Sequence, residues 1–250
     1  MIPKFIQLGG TDINQDWYNM DIHYSMLSDY NRMLSYWNFI RKNKFLKDKI
    51  CCDLGAGTGI LSLFALLAGV KHLYIIENQK NMIEIINKLL TENGISKEKY
   101  TILQGWSTDV TLPEKVDAII HELIGMWGNA EQCLGYVVDF RDRFLKEDGK
   151  IIPDIVEVNL RLQYNNVYYD PIYGSNFDFM DDKININSLF NKDNEYSKLV
   201  DNYDNTILSI IDNDINYSDN TCNCNINTLV YDLQNESLEE TKNKVLKLNF

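Results

Sequence analysis

From residue 50 to 153 the chain alternates short apolar runs with stretches of helical spacing. The order is ICCDL (50–54), an apolar helix over about 58–68, HLYIIE (72–77), a helix over about 79–93, YTILQ (100–104), VDAIIHE (116–122), a helix over about 129–145 and GKIIP (149–153). These runs are apolar throughout, as in strands covered on both faces. Parallel neighbours need a crossover between them, and the intervening helices supply it. The segment predicts an α/β fold, a Rossmann-like doubly wound sheet.

The flanks differ. From about 22 to 46, Met26, Leu27, Tyr30, Met33, Leu34, Trp37 and Phe39 recur at helical spacing, predicting one or two amphipathic helices with Asp21 or Ser25 as the entry cap. After Pro153, IVEVNLRLQY alternates with period two, the mark of a half-buried antiparallel strand. Residues 176–228 are rich in Asn, Asp and Ile with short helical patches, INSLF and EYSKLV, and read as loops and an interaction arm or as compositional habit. The final KVLKLNF alternates again as a strand. Three parts are expected: an N-terminal helical segment (1–49), the sheet domain (50–153), and a C-terminal β-rich unit resembling a partial barrel with an arm-like insertion (154–250).

With 45% hydrophobic and 24% charged residues, the chain has the composition of an ordinary globular protein. Its formal charge of −12 and pI near 4.7 repel phosphate backbones and anionic lipid, arguing against nucleic acid and membrane as partners. The acidity serves solubility or attracts a basic substrate. No charged leader and no run of the ~20 apolar residues that span a bilayer are read, so a cytoplasmic location is expected, with the nucleus as the alternative. Cys51, Cys52, Cys133, Cys222 and Cys224 form an odd, uneven set that suits free thiols in a reducing compartment. Neither they nor the three histidines space as a metal site, and no metal is expected.

In CCDLGAGTGIL, glycines 55, 57 and 59 stand between the first strand and a helix, where they permit a tight turn and close approach to a ligand. A dinucleotide fingerprint requires its third glycine at position 60, which is Ile60. The spacing matches the G-x-G-x-G loop of class I methyltransferases. Asp53 precedes it and suits a ligand with a cationic amino acid moiety, such as S-adenosyl-L-methionine. Glu77, 18 residues after Gly59 at the end of the second strand, is placed to accept both ribose hydroxyls. In HYSMLSDYNR, Arg32 is a candidate for the cofactor carboxylate and His23 and Met26 for the pocket wall. The alternative is that Met26 packs and Arg32 is solvated.

HELIGMWGNAE (121–131) puts Glu122 and Glu131 at the ends of a loop containing Gly125 and Gly128, outside the carboxyl end of the fourth strand, where open α/β sheets bind ligands. Two carboxylates ~5 Å apart repel unless a proton or a cation lies between them. A guanidinium, planar and permanently charged, meets both with parallel hydrogen bonds. In a chain with 36 acids, the spacing alone also arises by chance.

From about residue 17 to 180 the chain resembles the protein arginine N-methyltransferase family. The resemblance is carried in order by IHYSMLSDYNRMLSY, DLGAGTGILSLFALLAG, LPEKVDAIIHELIGMWGNAEQCL and FLKEDGKIIPD. It implies S-adenosyl-L-methionine as cofactor, Glu122 and Glu131 as the catalytic double-E pair, and Asp53, Gly55, Gly57 and Glu77 as cofactor loop and ribose acid. His23 and Arg32 correspond to its helical cofactor contacts, Thr108 to its adenine-side acid with Asp109 adjacent, and Met26 and Trp17 to the substrate side. The implied activity is transfer of a methyl group to an arginine guanidine nitrogen in a basic protein or peptide, by a homodimer or heterodimer.

The pattern departs in places. The family's aromatic pair aligns with Ile13 and Trp17, the barrel is short, and the Thr-His-Trp loop that closes the family's substrate site is not found. Asp29 aligns with the acid that pairs with that loop. His121 stands where the family usually has serine, and reads as a neighbour for Glu122 or as a satisfied structural residue. The alternatives are a catalytically silent regulatory subunit, or a methyltransferase for free arginine or another small guanidine or amine.

Overall fold

The computed structural model describes residues 20–42, 44–125, 128–129, 133–160 and 227–243. Its centre is a five-stranded parallel sheet in the order β3-β2-β1-β4-β5. The strands are β1 (Ile50–Leu54), β2 (His72–Glu77), β3 (Tyr100–Gln104), β4 (Val116–His121) and β5 (Leu145–Ile152). The continuous apolar runs have the expected cause. Cys51, Leu73, Ile75, Ala118 and Ile120 join one core, while Cys52, Leu54, Tyr74, Ile76 and Ile119 join the other, so each strand is covered on both faces.

The first core is closed by α1 (Met20–Ser28), α2 (Tyr30–Lys42), α3 (Ile60–Leu67) and α4 (Lys80–Glu92). Six consecutive residues of α3, Ile60 to Ala65, are buried, as a helix between sheet and other helices must be. In α4 burial is one-sided, through Met82, Ile86, Leu89 and Leu90. The second core receives α5 (Cys133–Phe144) and a separate antiparallel pair, β6 (Ile155–Leu160) with β7 (Asn227–Asp232). A short α6 (Leu238–Asn243) follows. Ser237 and Glu240 form a reciprocal capping box at its start: Ser237 N donates to Glu240 Oε2 at 2.8 Å, and Glu240 N to Ser237 Oγ at 3.2 Å.

Several boundaries move. The N-terminal helical pattern is two helices, and the cap between them is Asp29, whose Oδ1 accepts the Arg32 N–H at 3.0 Å. Ser25 does not cap, because its hydroxyl donates back to Ile22 O at 2.8 Å. The fifth strand begins at Leu145, four residues before GKIIP. The alternating strand is described only to Leu160, and its partner β7 starts at the end of the 176–228 tract, where the sequence predicts no strand. Most of the Asn-rich tract, Cys222, Cys224 and KVLKLNF lie outside the described residues. Cys51 and Cys52 are buried free thiols, and no described helix is long and apolar enough to cross a membrane.

Candidate active site

Strand order reverses between β1 and β4, and the crevice of an open parallel sheet lies there, at the carboxyl ends of the strands. The register pairs Leu54 with His121 on one side and with Ile76 on the other. Gly55, Glu77 and Glu122, the next residues of three neighbouring strands, therefore leave the sheet together.

The turn after β1 depends on its glycines. Gly55 and Gly57 have φ of +71° and +53°, and a Cβ would lie 2.8 Å from Leu123 Cδ2 at the first and 3.2 Å from His23 Cε1 at the second. Buried His23, on α1, thus lies against the turn. Glu77 is buried and braces the same backbone: Oε2 accepts Gly57 N–H at 2.7 Å and Oε1 accepts Gln79 N–H at 2.8 Å. Burial pushes its pKa up, and the N–H groups of Gln79, Gly57 and Asn78 pull it back. Each carboxylate oxygen keeps a lone pair for a ribose hydroxyl. A backbone open to close approach beside such an acid fits a nucleoside-bearing cofactor.

Asp53 is almost fully buried, and its Oδ2 accepts the Ser62 hydroxyl at 2.5 Å, tying β1 to α3. Burial raises its pKa to about 7; the Ser62 bond opposes this and the Glu77 charge adds to it. Ser62 escaped the sequence reading, although a serine nine positions after a strand-end acid faces back toward it once the turn closes. Thr108 is exposed on the loop after β3, donating to Asp109 Oδ1 at 3.1 Å. That loop is held by Arg143 of α5, which donates to Ser107 O at 2.6 Å and Val110 O at 3.2 Å. Nothing local in the sequence marks Arg143 for that role.

Glu122 follows β4, its side chain 19% exposed. Burial raises its pKa to about 7, with Arg32 opposing and Asp29 adding. Arg32 is part-exposed but paired: its Nη1 lies 3.5 Å from Glu122 Oε2 and its Nε 3.4 Å from Asp29 Oδ2. A guanidinium is thus already paired with the carboxylate predicted to hold one. Met26 is half-buried on the same helical segment. Glu131 and Trp17 lie outside the described residues. His121 is fully buried and bonds Pro153 and Leu123, so it is a satisfied buried residue with no bond to the Glu122 carboxylate. Among the described residues no group of His, Cys, Asp and Glu is arranged to hold a metal ion.

No family model matches the chain. It is 39% identical over 160 residues to protein arginine N-methyltransferase 1 of Oryza sativa subsp. indica, covering 61% of this chain and 41% of that protein. Among solved structures it is similar to protein arginine methyltransferase 10 of Arabidopsis thaliana, with TM-score 0.57 and 31% identity, covering 60% of this chain and 43% of that one. The fold also matches the Trypanosoma brucei PRMT1 enzyme-prozyme heterotetrameric complex with AdoHcy, with TM-score 0.64 and 23% identity over 90% of this chain and 66% of that one. The chain spans less than half the length of the curated relatives it matches. These curated relatives and solved structures are protein arginine N-methyltransferases, and the likeness covers 61% and 63% of this chain in two of the curated relatives.

Proposed function

We propose that the chain carries the cofactor-binding and guanidine-holding part of an S-adenosyl-L-methionine-dependent N-methyltransferase that modifies arginine in basic protein segments. One observation carries this reading. The β1–β4 register sets the cofactor turn beside a carboxylate, Glu122, that is paired with a guanidinium, Arg32.

S-adenosyl-L-methionine, when bound, supplies an electrophilic methyl group on a sulfonium. Gly55 and Gly57 would give it close approach, Glu77 would accept its ribose hydroxyls, and His23 and Met26 would form the wall from α1. Arg32 would hold the carboxylate of that cofactor, and Glu122 would then hold the substrate guanidinium. Ionised Glu122 accepts from that guanidinium and draws its positive charge toward the held nitrogens, leaving a terminal nitrogen richer in electrons. Glu131, outside the described residues, is the second carboxylate that the family resemblance implies. Positioning and fixed charge supply the acceleration. The acidic surface, at −12 overall, concentrates a basic substrate near the site. The division into helical segment (1–49), cofactor domain (50–153) and β-rich unit (154–250), a cytoplasmic location and a homodimer or heterodimer belong to the same reading.

Labelled methyl transfer to an arginine-glycine-rich peptide, to free arginine and to a lysine-rich histone tail tests it. Label on the arginine peptide alone supports the reading. Label on free arginine alone moves the acceptor to a small guanidine, and S-adenosylhomocysteine binding with no transfer to any acceptor overturns catalysis.

A further inference from the structure

Glu122 leaves β4 with the peptide groups on both of its sides already held. Before it, the His121 carbonyl accepts the Tyr36 hydroxyl from α2 at 3.0 Å. After it, the Leu123 N–H donates to Nδ1 of the His121 ring at 3.4 Å. The other ring nitrogen, Nε2, lies 2.9 Å from the Pro153 carbonyl.

These contacts determine the ring's state. A carbonyl only accepts, so Nε2 carries the proton; Nδ1 then offers the lone pair that Leu123 N–H requires. Burial pushes the His121 pKa down to about 4, opposed by the Pro153 bond, so the ring stays neutral. The groups joined are consequential. Leu123 packs over Gly55 of the cofactor turn, and Pro153 lies between β5 and β6.

We propose that His121 is a positioning residue for Glu122: one tautomer of its ring ties the backbone after the glutamate to the β5–β6 connection, and so aims the carboxylate at the guanidine site. This rests on the role given to Glu122 above. Catalysis by a held carboxylate is sensitive to displacements of about 1 Å, which cost up to about 100-fold.

The test uses the full chain and three variants, His121→Asn, His121→Gln and His121→Leu. Asparagine keeps an acceptor near the position of Nδ1; glutamine keeps a donor for Pro153 and leaves Leu123 without an acceptor. Leu, which breaks both bonds, is expected to lose about 10- to 100-fold in kcat for an arginine-glycine-rich peptide, with peptide KM and S-adenosylhomocysteine affinity within about threefold of wild type, and Asn and Gln, which each keep one bond of the tie, are expected to fall between Leu and wild type. Ring 15N shifts of the wild-type chain should report the Nε2–H tautomer, a readout independent of how the variants fold. A folded Gln or Leu variant at wild-type kcat, or an Nδ1–H tautomer, overturns the proposal. A wild-type chain that methylates no arginine peptide removes the parent reading and this inference with it, whereas an active wild type with an equally active Gln variant removes His121 alone.

Discussion

Arg32 and Glu122, 90 residues apart in sequence, face each other at 3.5 Å between the N-terminal helices and the end of β4. Asp29 holds the same guanidinium at 3.4 Å, so one arginine is shared by two acids. The side chains are 31% and 19% exposed, and solvent weakens the pair. Arg32→Ala removes the cation that opposes the burial shift on Glu122. The apparent pKa for kcat/KM should move up by about 1 unit or less. A pH–rate profile checks this, and an unchanged or lowered pKa contradicts it.

Glu122 has its own pH signature. Its carboxyl, raised by burial to about 7, must ionise to hold a guanidinium, so kcat/KM should climb as pH rises through about 7. Stability runs the other way. A carboxyl whose pKa is higher folded than unfolded favours the native state most below its unfolded pKa of about 4.5 and loses that advantage as pH rises through about 7. Glu122→Gln should therefore gain stability relative to wild type between pH 5 and pH 8. A gain of about 1 kcal/mol corresponds to roughly 2–4 °C in Tm for a chain of this size. Asp53 titrates in the same window, and taking the difference between variant and wild type cancels its share.

At Gly57 the backbone has φ of +53°, and a side chain would meet the His23 ring at 3.2 Å. Gly57→Ala should destabilise the fold by about 1–2 kcal/mol from the left-handed conformation alone. It should also weaken S-adenosylhomocysteine binding by tenfold or more, because the turn and the N–H held by Glu77 both shift. Thermal unfolding and calorimetric titration separate the two effects.

Ser62 supplies the hydroxyl on which buried Asp53 depends. Ser62→Ala should cost about 1–3 kcal/mol, the penalty of leaving a buried acceptor without its donor. With Asp53 near pKa 7, the cost should be larger at pH 8 than at pH 5.5, since an unpaired charge is worse than an unpaired acid. Denaturant unfolding at the two pH values measures it.

The sheet was legible because β1, β2 and β4 are short apolar runs separated by helices, a pattern that local sequence carries in full. The glycine turn and Glu77 were legible from spacing. β7 was not, since Asn227–Asp232 is a strand only through pairing with Ile155–Leu160, far back in the chain. Two caps were readable and passed over: Asp29 three residues before Arg32, and Ser237 three before Glu240. Arg143 and the Pro153 partner of His121 were beyond reach for one physical reason: the β3 loop and Pro153 are brought near by the fold and by nothing local.

The most direct measurement is transfer of a labelled methyl group from S-adenosyl-L-methionine to an arginine-glycine-rich peptide, by wild type and Glu122→Gln, beside their affinities for S-adenosylhomocysteine. Glu122→Gln should cut kcat by at least about 100-fold, the scale for losing a charge aimed at the reacting group, while S-adenosylhomocysteine binds within about threefold of wild type. A Glu122→Gln chain that methylates arginine as fast as wild type would contradict the account.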